Sequence, residues 1–251
     1  MAIQIADHVY RLGDRVVNFY LVDHPDGLTL IDAGLPGHFG QLESYLAASG
    51  RSVSDITSVL ITHGHPDHIG LAARLHAAGA TVWVHERDAI ILTDGPRSSL
   101  RHVKPERSMI RYLLRRPAAI ATPLHIARNG GFTAPKVTDV RTFRADERLE
   151  AVPGRPRAVM LPGHTPGSAG YLYDDLGVLF TGDALVTEDG LTGHVGPTLV
   201  CRGFTNDSAA ALATLDDLAG LHATMVLTGH GQPFHGSPAA AAEQARRAGQ
   251  Q

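Results

Sequence analysis

Short apolar runs recur along the chain, and polar loops that contain glycine, proline or histidine separate them. Residues 16–22 and 28–32 flank the turn sequence His-Pro-Asp-Gly at 24–27, which predicts a β-hairpin. The next stretch, 40–49, has apolar residues at helical spacing and is followed by Gly50, so it predicts an amphipathic helix.

A second set of elements is predicted between residues 58 and 84. Residues 58–61 and 81–84 are apolar runs of strand length. The segment between them predicts a helix that begins near Pro66 to His68, continues to Ala78 and ends at Gly79. A strand, a helix and a second strand predict a parallel βαβ unit with its helix outside the sheet.

The same order of elements recurs after residue 145. The pattern predicts strands at about 158–161, 170–173, 177–181 and 224–228, and helices at about 207–220 and 237–247. The chain therefore resembles two similar halves, each of which brings loop residues to the ends of its strands.

Composition narrows the class of protein. The apolar fraction of 43% and the charged fraction of 19% are ordinary for a globular chain of 251 residues, and the formal charge of −3 favours no polyanionic partner. Cys201 is the only cysteine, so no intrachain disulfide can form. The amino terminus lacks the features of a signal peptide, and no apolar run has membrane-spanning length. We therefore expect a soluble, cytoplasmic protein that binds neither nucleic acid nor membrane.

A dense group of potential metal ligands follows the strand at 58–61. His63, His65, Asp67 and His68 lie within six residues. Imidazole and carboxylate are ligands that Zn²⁺ and similar cations prefer. In an extended loop His63 and His65 point the same way, whereas Asp67 and His68, on the first turn of the predicted helix, face elsewhere. One loop could therefore serve two adjacent metal positions.

This motif, His-x-His-x-Asp-His after a buried strand, resembles the metal motif of the metallo-β-lactamase superfamily. That family needs three further ligands in a fixed order, a His, an Asp and a His, each at the end of a later strand. The chain has His164, Asp183 and His230, each after an apolar run and a glycine. The resemblance spans nearly the whole chain. It implies one α/β domain over 1–251, a four-layer αββα sandwich of the glyoxalase-II and lactonase type.

The resemblance also implies two divalent metal ions, with zinc expected and iron or manganese as alternatives. His63, His65 and His164 would hold one ion, Asp67, His68 and His230 would hold the second, and Asp183 would bridge both. Such a pair lowers the pKa of a shared water from ~16 toward neutrality. Asp67 would also orient this water as a catalytic residue, and Asp32 would either accept a hydrogen bond from a ligand imidazole or cap a turn. The expected reaction is hydrolysis of a lactone, thioester, ester or amide.

Residues 95–128, here called the basic segment, carry eight of the 22 lysine and arginine residues and a single acid, Glu106. Helical spacing places Lys104, Arg107, Arg111 and Arg115 on one face and Met109, Ile110, Leu113 and Leu114 on the other, up to Pro117. In the resembled family, insertions at this point, about 95–130, often cover the active site as a lid. Arg107 and Arg111 would then favour an anionic substrate, although a solvated face or a homodimer interface is an alternative.

Three substrate classes of the resembled family match less well. Its β-lactamases are generally secreted and lack the bridging aspartate. Its glyoxalase-II-like enzymes carry an extra C-terminal domain, whereas about twenty residues follow His230 here, and its lactonases usually have a tyrosine beyond the bridging aspartate, where this chain has none after Tyr173. The loop at 186–204, with His194 and Arg202, is therefore expected to contact a small-molecule acyl substrate.

Three rival functions stay open. An iron oxygenase of the persulfide-dioxygenase kind has the same ligand types, whereas flavodiiron oxidases typically carry a glutamate at the position of His65. A phosphodiesterase or nuclease is compatible with the site, although the sequence pI near 6.6 offers no broad phosphate-binding surface. A non-catalytic binding protein is disfavoured because all seven ligands are present. Cys201 is expected to be a small buried residue and not a nucleophile.

Overall fold

The computed structural model describes residues 2–250. A first sheet contains seven strands in chain order, β1 to β7. They are β1 Ile3–Ala6, β2 Val9–Gly13, β3 Asn18–His24, β4 Gly27–Ile31, β5 Ile56–Leu60, β6 Thr81–His85 and β7 Arg141–Phe143. Strands β1 to β4 are antiparallel, and β4 to β7 are parallel. The predicted hairpin and the predicted βαβ unit are both confirmed.

A second sheet of six strands has the order β15-β14-β11-β10-β9-β8, and β12 pairs with β13 in a separate hairpin. The bounds are β8 Glu147–Arg148, β9 Arg157–Met160, β10 Ala169–Tyr173, β11 Val178–Gly182, β12 Val186–Glu188, β13 Val195–Thr198, β14 Met225–Thr228 and β15 Phe234–His235. Among the described strands of this sheet, only β11 and β14 pair in parallel. The four strands predicted after residue 145 are confirmed.

In the described part of the chain, five α-helices cover the outer faces of the two sheets, and three others lie in the basic segment. They are α1 Phe39–Ala48, α2 Ala72–Ala77, α3 Glu86–Asp94, α4 Ser99–His102, α5 Ile110–Arg115, α6 Ala121–Arg128, α7 Ser208–Ala219 and α8 Pro238–Ala248. The first three pack on the first sheet, and α7 and α8 pack on the second. Within residues 2–250, none of these helices is long and apolar enough to cross a membrane.

The alternation of side chains along the strands produces the layers. On β3, Phe19 and Leu21 belong to the core beneath the outer helices, whereas Tyr20 and Val22 belong to the core between the two sheets. Both faces of the strand are therefore apolar, as expected of a sheet covered on both sides. The second sheet behaves in the same way, and the four-layer αββα sandwich is confirmed.

The helix predicted after the metal-ligand loop begins later than expected. Residues 66–69 form a turn, and α2 begins only at Ala72. The backbone N–H groups of Gly70 and Leu71 donate to the carbonyls of Gly34 and Ala33 and are therefore unavailable to an earlier helical turn. The prediction that Asp67 and His68 lie on a first helical turn was wrong.

The basic segment is not one helix but α4, α5 and α6 joined by short connections. Lys104 and Arg107 lie outside the helices, next to Pro105, which lacks the N–H that a helix interior needs. The predicted apolar face also divides. Met109 and Leu113 are half-buried, whereas Ile110 and Leu114 are 64% and 78% exposed. Pro117 interrupts the helical pattern, as predicted, and starts a 3₁₀ turn.

Candidate metal centre

All seven predicted ligands lie together at one edge of the sandwich, where strands of both sheets end. His63, His65, Asp67 and His68 follow β5, His164 follows β9, Asp183 follows β11, and His230 follows β14. Their side chains are buried, except that His65 and His230 are partly exposed. Four separate strand ends therefore deliver one cluster of imidazoles and carboxylates.

The first group consists of His63, His65 and His164, whose ligand atoms lie within 4.8 Å of one another. The Nε2 atom of His164 lies 2.8 Å from Nδ1 of His65 and 3.2 Å from Nε2 of His63. Nitrogens around one tetrahedral zinc ion are roughly 3.3 Å apart, given Zn–N bonds of about 2.0–2.1 Å. The three rings therefore face a point where a cation could be held.

Asp67, His68 and His230 form a second group of the same size. The Oδ2 atom of Asp67 lies 3.7 Å from Nε2 of His68 and 3.5 Å from Nε2 of His230. Asp183 lies between the groups, because its Oδ2 atom is 3.0 Å from Nε2 of His230 and 3.5 Å from Nε2 of His164. One carboxylate therefore reaches both positions.

Two observations show that these residues fit metal ions. First, Nε2 of His68 and Oδ1 of Asp183 are buried atoms without a hydrogen-bond partner among the described residues. Buried polar atoms are normally paired, so these two are free to bind a ligand. Second, a Cβ atom added to Gly229 would lie only 2.2 Å from Oδ1 of Asp183 and 2.7 Å from Cε1 of His68. Glycine at this position leaves the space between the two groups free.

Neighbouring groups fix the orientation of the ligand imidazoles. The Nδ1–H group of His68 donates to Oδ2 of Asp32 at 2.8 Å, which directs Nε2 of the ring into the centre. Asp32 also accepts hydrogen bonds from the backbone N–H and the hydroxyl of Thr62. His230 is held in the same manner, since its Nδ1–H group donates to the carbonyl of Val16. Sequence reasoning anticipated Asp32 but missed Val16.

Asp88, on α3, ties the two histidine loops of the first group together. This fully buried carboxylate accepts hydrogen bonds from the N–H of Gly64 at 2.8 Å, the hydroxyl of Thr165 at 2.7 Å and the N–H of Gly167 at 2.8 Å. Gly64 lies between two ligands, and Thr165 follows a third. Asp88 therefore sets the distance between His63, His65 and His164 without touching them, and sequence reasoning missed it.

Asp14, His38 and His125 form a further group of potential metal ligands, but their hydrogen bonds explain the group without a metal. The Nδ1 atom of His38 accepts the N–H of Leu35, so its Nε2 atom carries the proton and donates to Asp14 at 3.0 Å. Asp14 also accepts from His125, on α6, and from the N–H of Val16. This cluster therefore holds the Val16 loop, which orients His230, against the basic segment.

The histidines of the two ligand groups differ in the direction of their pKa shifts. Burial and neighbouring imidazoles lower the pKa of His63 and His164 well below the usual value. Burial also opposes charge on His68 and His230, but nearby carboxylates, Asp183 foremost, raise their pKa to about 9 and about 10. The first group therefore offers free lone pairs at neutral pH, whereas a metal ion at the second group must displace protons.

A cavity of about 210 Å³ opens above these ligands. The basic segment forms its roof with Ser99, Leu100, Val103, Pro105, Met109, Thr122, Pro123 and Ile126. The end of β12 and the segments that follow β12 and β13 add Glu188, Asp189, Gly190, Val200, Gly203 and Phe204 to the wall. Most of these side chains are apolar, and Arg15 is the only lysine or arginine among the described residues that line the cavity.

The predicted substrate contacts lie elsewhere. Arg107 and Arg111 line a separate depression, and neither His194 nor Arg202 is among the described residues that line the cavity. The Nε group of Arg202 pairs with Glu106 at 3.3 Å. The structure therefore does not bring these four residues to the cavity above the metal ligands, and their contact with a substrate stays a prediction. Cys201 is buried, and burial raises the pKa of its thiol, which agrees with the prediction that it is no nucleophile.

Comparison with known proteins agrees with this geometry. A family model described as the metallo-beta-lactamase superfamily matches residues 12–230. The probable metallo-hydrolase YflN of Bacillus subtilis is 27% identical over 245 residues, which cover 93% of this chain and 87% of the relative. Hydroxyacylglutathione hydrolase GloC of Haemophilus influenzae is 24% identical over 217 residues, with 83% and 82% coverage.

A solved structure supports the same conclusion. The metallo-beta-lactamase family protein TTHA1429 from Thermus thermophilus superposes with a TM-score of 0.67 at 29% identity, over 95% of this chain and 78% of that one. The family model covers all seven candidate ligands. The chain belongs to the metallo-β-lactamase superfamily, and it is a metal-dependent hydrolase.

Proposed function

We propose that this protein binds two metal ions, with zinc as the favoured metal, and hydrolyses an activated acyl bond in a lactone, thioester or ester. The position of Asp183 between two three-residue ligand groups carries the proposal. His63, His65 and His164 would hold one ion, and Asp67, His68 and His230 the other, with Asp183 shared. A ligand set of imidazoles and carboxylates suits zinc well.

Bound metal ions would supply a hydroxide nucleophile near neutral pH and polarise the acyl carbonyl. The protein's own groups do the rest. Asp67 lines the cavity, where its carboxylate can orient the attacking water and accept its proton. The apolar roof over the ligands excludes bulk water, which strengthens the electrostatic interactions beneath it.

The cavity supports a substrate with an uncharged, apolar acyl group. Its roof and wall present Leu100, Val103, Met109, Ile126 and Phe204. An exposed acid, Glu188, lies in the same wall, and it disfavours a negative charge on the acyl group. A phosphodiester substrate is disfavoured for the same reason. The activity of the relative named hydroxyacylglutathione hydrolase supports a thioester among the candidates.

A substrate series tests this proposal. We expect kcat/KM for a set of aryl thioesters to rise as the acyl group is lengthened by CH₂ groups, by about fourfold for each one buried, since each contributes ~0.8 kcal/mol. A terminal carboxylate on the longest acyl group should cancel the gain. The rates are measured with the metal-loaded protein by thiol release. Equal rates across the series, or faster hydrolysis of the carboxylate, would contradict an apolar acyl site.

The cavity and the single cysteine also bear on the binding partner of this protein and on its cellular compartment. We propose a small-molecule acyl substrate as the partner that binds in the cavity. We also propose a cytoplasmic location, on the basis of the single, buried cysteine.

A further inference from the structure

A second depression lies on the basic segment, on a different part of the surface from the cavity above the metal ligands. It has a volume of about 560 Å³, and Arg107, Arg111, Arg115 and Arg116 line it. No described residue lines both the depression and the cavity. Arg107 and Arg111, which sequence analysis assigned to the substrate, therefore lie at a site of their own.

The positive charge of this depression is not balanced by its own lining, since none of the described residues that line it is acidic. Glu106, the only acid of the basic segment, pairs with Arg202 and accepts hydrogen bonds from Ser208. Asp189, which lies shortly before Leu191 and Thr192 in the chain, accepts hydrogen bonds from the backbone N–H groups of Leu191 and Cys201. Both acids are thus engaged elsewhere.

The arginines that line the depression lie near one another although their positive charges repel. Arg111 and Arg115 are four residues apart on α5, which is a destabilising spacing for two cations. Arg116 is fixed at the rim, because its Nη1 group donates to the carbonyl of Gly190 at 2.9 Å. Several guanidinium groups around one depression match the oxygens of phosphate or sulfonate, which they bind in bidentate fashion.

We propose that the depression is a binding site for a polyanion bearing phosphate groups, held by Arg107, Arg111, Arg115 and Arg116. Thr192 also lines the depression, and its hydroxyl adds a hydrogen-bonding group. Ile110 and Leu114 are exposed beside these arginines on α5. The phosphate can therefore belong to a free metabolite or to a lipid headgroup, and the two sources share the same recognition chemistry. This inference does not depend on the reaction at the metal centre.

Fluorescence anisotropy of pyrene tetrasulfonate tests the site, since sulfonates are weak ligands for metal ions. We expect saturable binding to the metal-loaded protein, weakened at least about tenfold by the double variant Arg111→Ala/Arg115→Ala, which removes two charge-assisted contacts. The matched control is Arg101→Ala/Arg128→Ala, which removes the same charge from exposed positions of the basic segment outside the depression. The control should bind the dye as the unchanged protein does.

Displacement of the dye identifies the source of the phosphate. Displacement by inorganic pyrophosphate supports a free ligand, and displacement by phosphatidylserine vesicles but not by phosphatidylcholine vesicles supports a headgroup. An equal loss of binding in both double variants would overturn the proposal, because diffuse charge would then explain the binding. Absence of saturable binding, or displacement by neither phosphate source, would overturn it as well.

Discussion

Replacement of Asp183 by alanine is expected to lower kcat/KM by about 10³-fold or more. Asp183 is the one carboxylate that reaches both ligand groups, at 3.0 Å from His230 and 3.5 Å from His164. Its loss should release at least one metal ion per chain. A metal pair contributes several kcal/mol of transition-state stabilisation, and ~4 kcal/mol corresponds to about 10³-fold in rate. Thioester hydrolysis and metal content by plasma mass spectrometry measure the two effects.

The matched control for Asp183→Ala is Asp217→Ala, on the exposed face of α7. It should retain activity and metal content, because surface substitutions away from special features have little effect. Circular dichroism shows whether the Asp183 variant is folded. A folded Asp183→Ala protein with normal metal content and normal rate would exclude a bridging role.

Replacement of Asp88 by alanine should have the largest effect on stability. It leaves the N–H groups of Gly64 and Gly167 buried without an acceptor, and it removes one of two hydrogen-bond partners of the Thr165 hydroxyl, which keeps Ser168 at 2.8 Å. At ~1–3 kcal/mol for each unpaired group, partial relaxation still leaves a loss of about 4 kcal/mol in the free energy of unfolding. Urea unfolding of the metal-free protein measures it separately from metal binding.

Two further variants make this test specific to the position of Asp88. Asp88→Asn keeps one acceptor oxygen but presents an N–H group to one former donor, so we expect an intermediate loss. Asp94→Ala, at the exposed end of the same helix, should change stability by less than about 0.5 kcal/mol. If Asp88→Ala lowered the free energy of unfolding by less than about 1 kcal/mol, Asp88 would not hold the two loops together.

The metal ligands could be predicted from the sequence because each of them follows a recognisable local pattern, and the ligands occur along the chain in the expected order. Each of His164, Asp183 and His230 follows an apolar strand and a glycine, so its place at a strand end is visible without the fold. The αββα architecture could be predicted for a similar reason. Strands covered on both faces are apolar on both faces, and β3 and β11 show this directly.

Asp88 could not be predicted as a site residue because its partners lie between 24 and 79 residues away along the chain. Only one signal was available. Asp88 precedes Ile91 and Leu92 by three and four residues, so it is an acid on the buried face of α3. Val16 gave no signal at all, because its contribution to the orientation of His230 is a backbone carbonyl.

The sequence also could not predict which side chains of the basic segment face the cavity. Helical spacing fixes which residues share a face, but not whether that face meets the cavity or the solvent. Pro105 and Pro117 divide the segment into short helices, and each of these has its own orientation. As a result, Met109 reaches the cavity, whereas Arg111 and Arg115 line the separate depression.

The metal content of the purified protein, never exposed to chelator, tests the central claim most directly. Plasma mass spectrometry should find close to two zinc ions per chain, and close to one in His63→Ala and in His230→Ala, because each variant damages one ligand group. About one iron ion per chain in the unchanged protein, with oxygen consumption in the presence of a persulfide, would contradict a dinuclear hydrolase and favour the oxygenase.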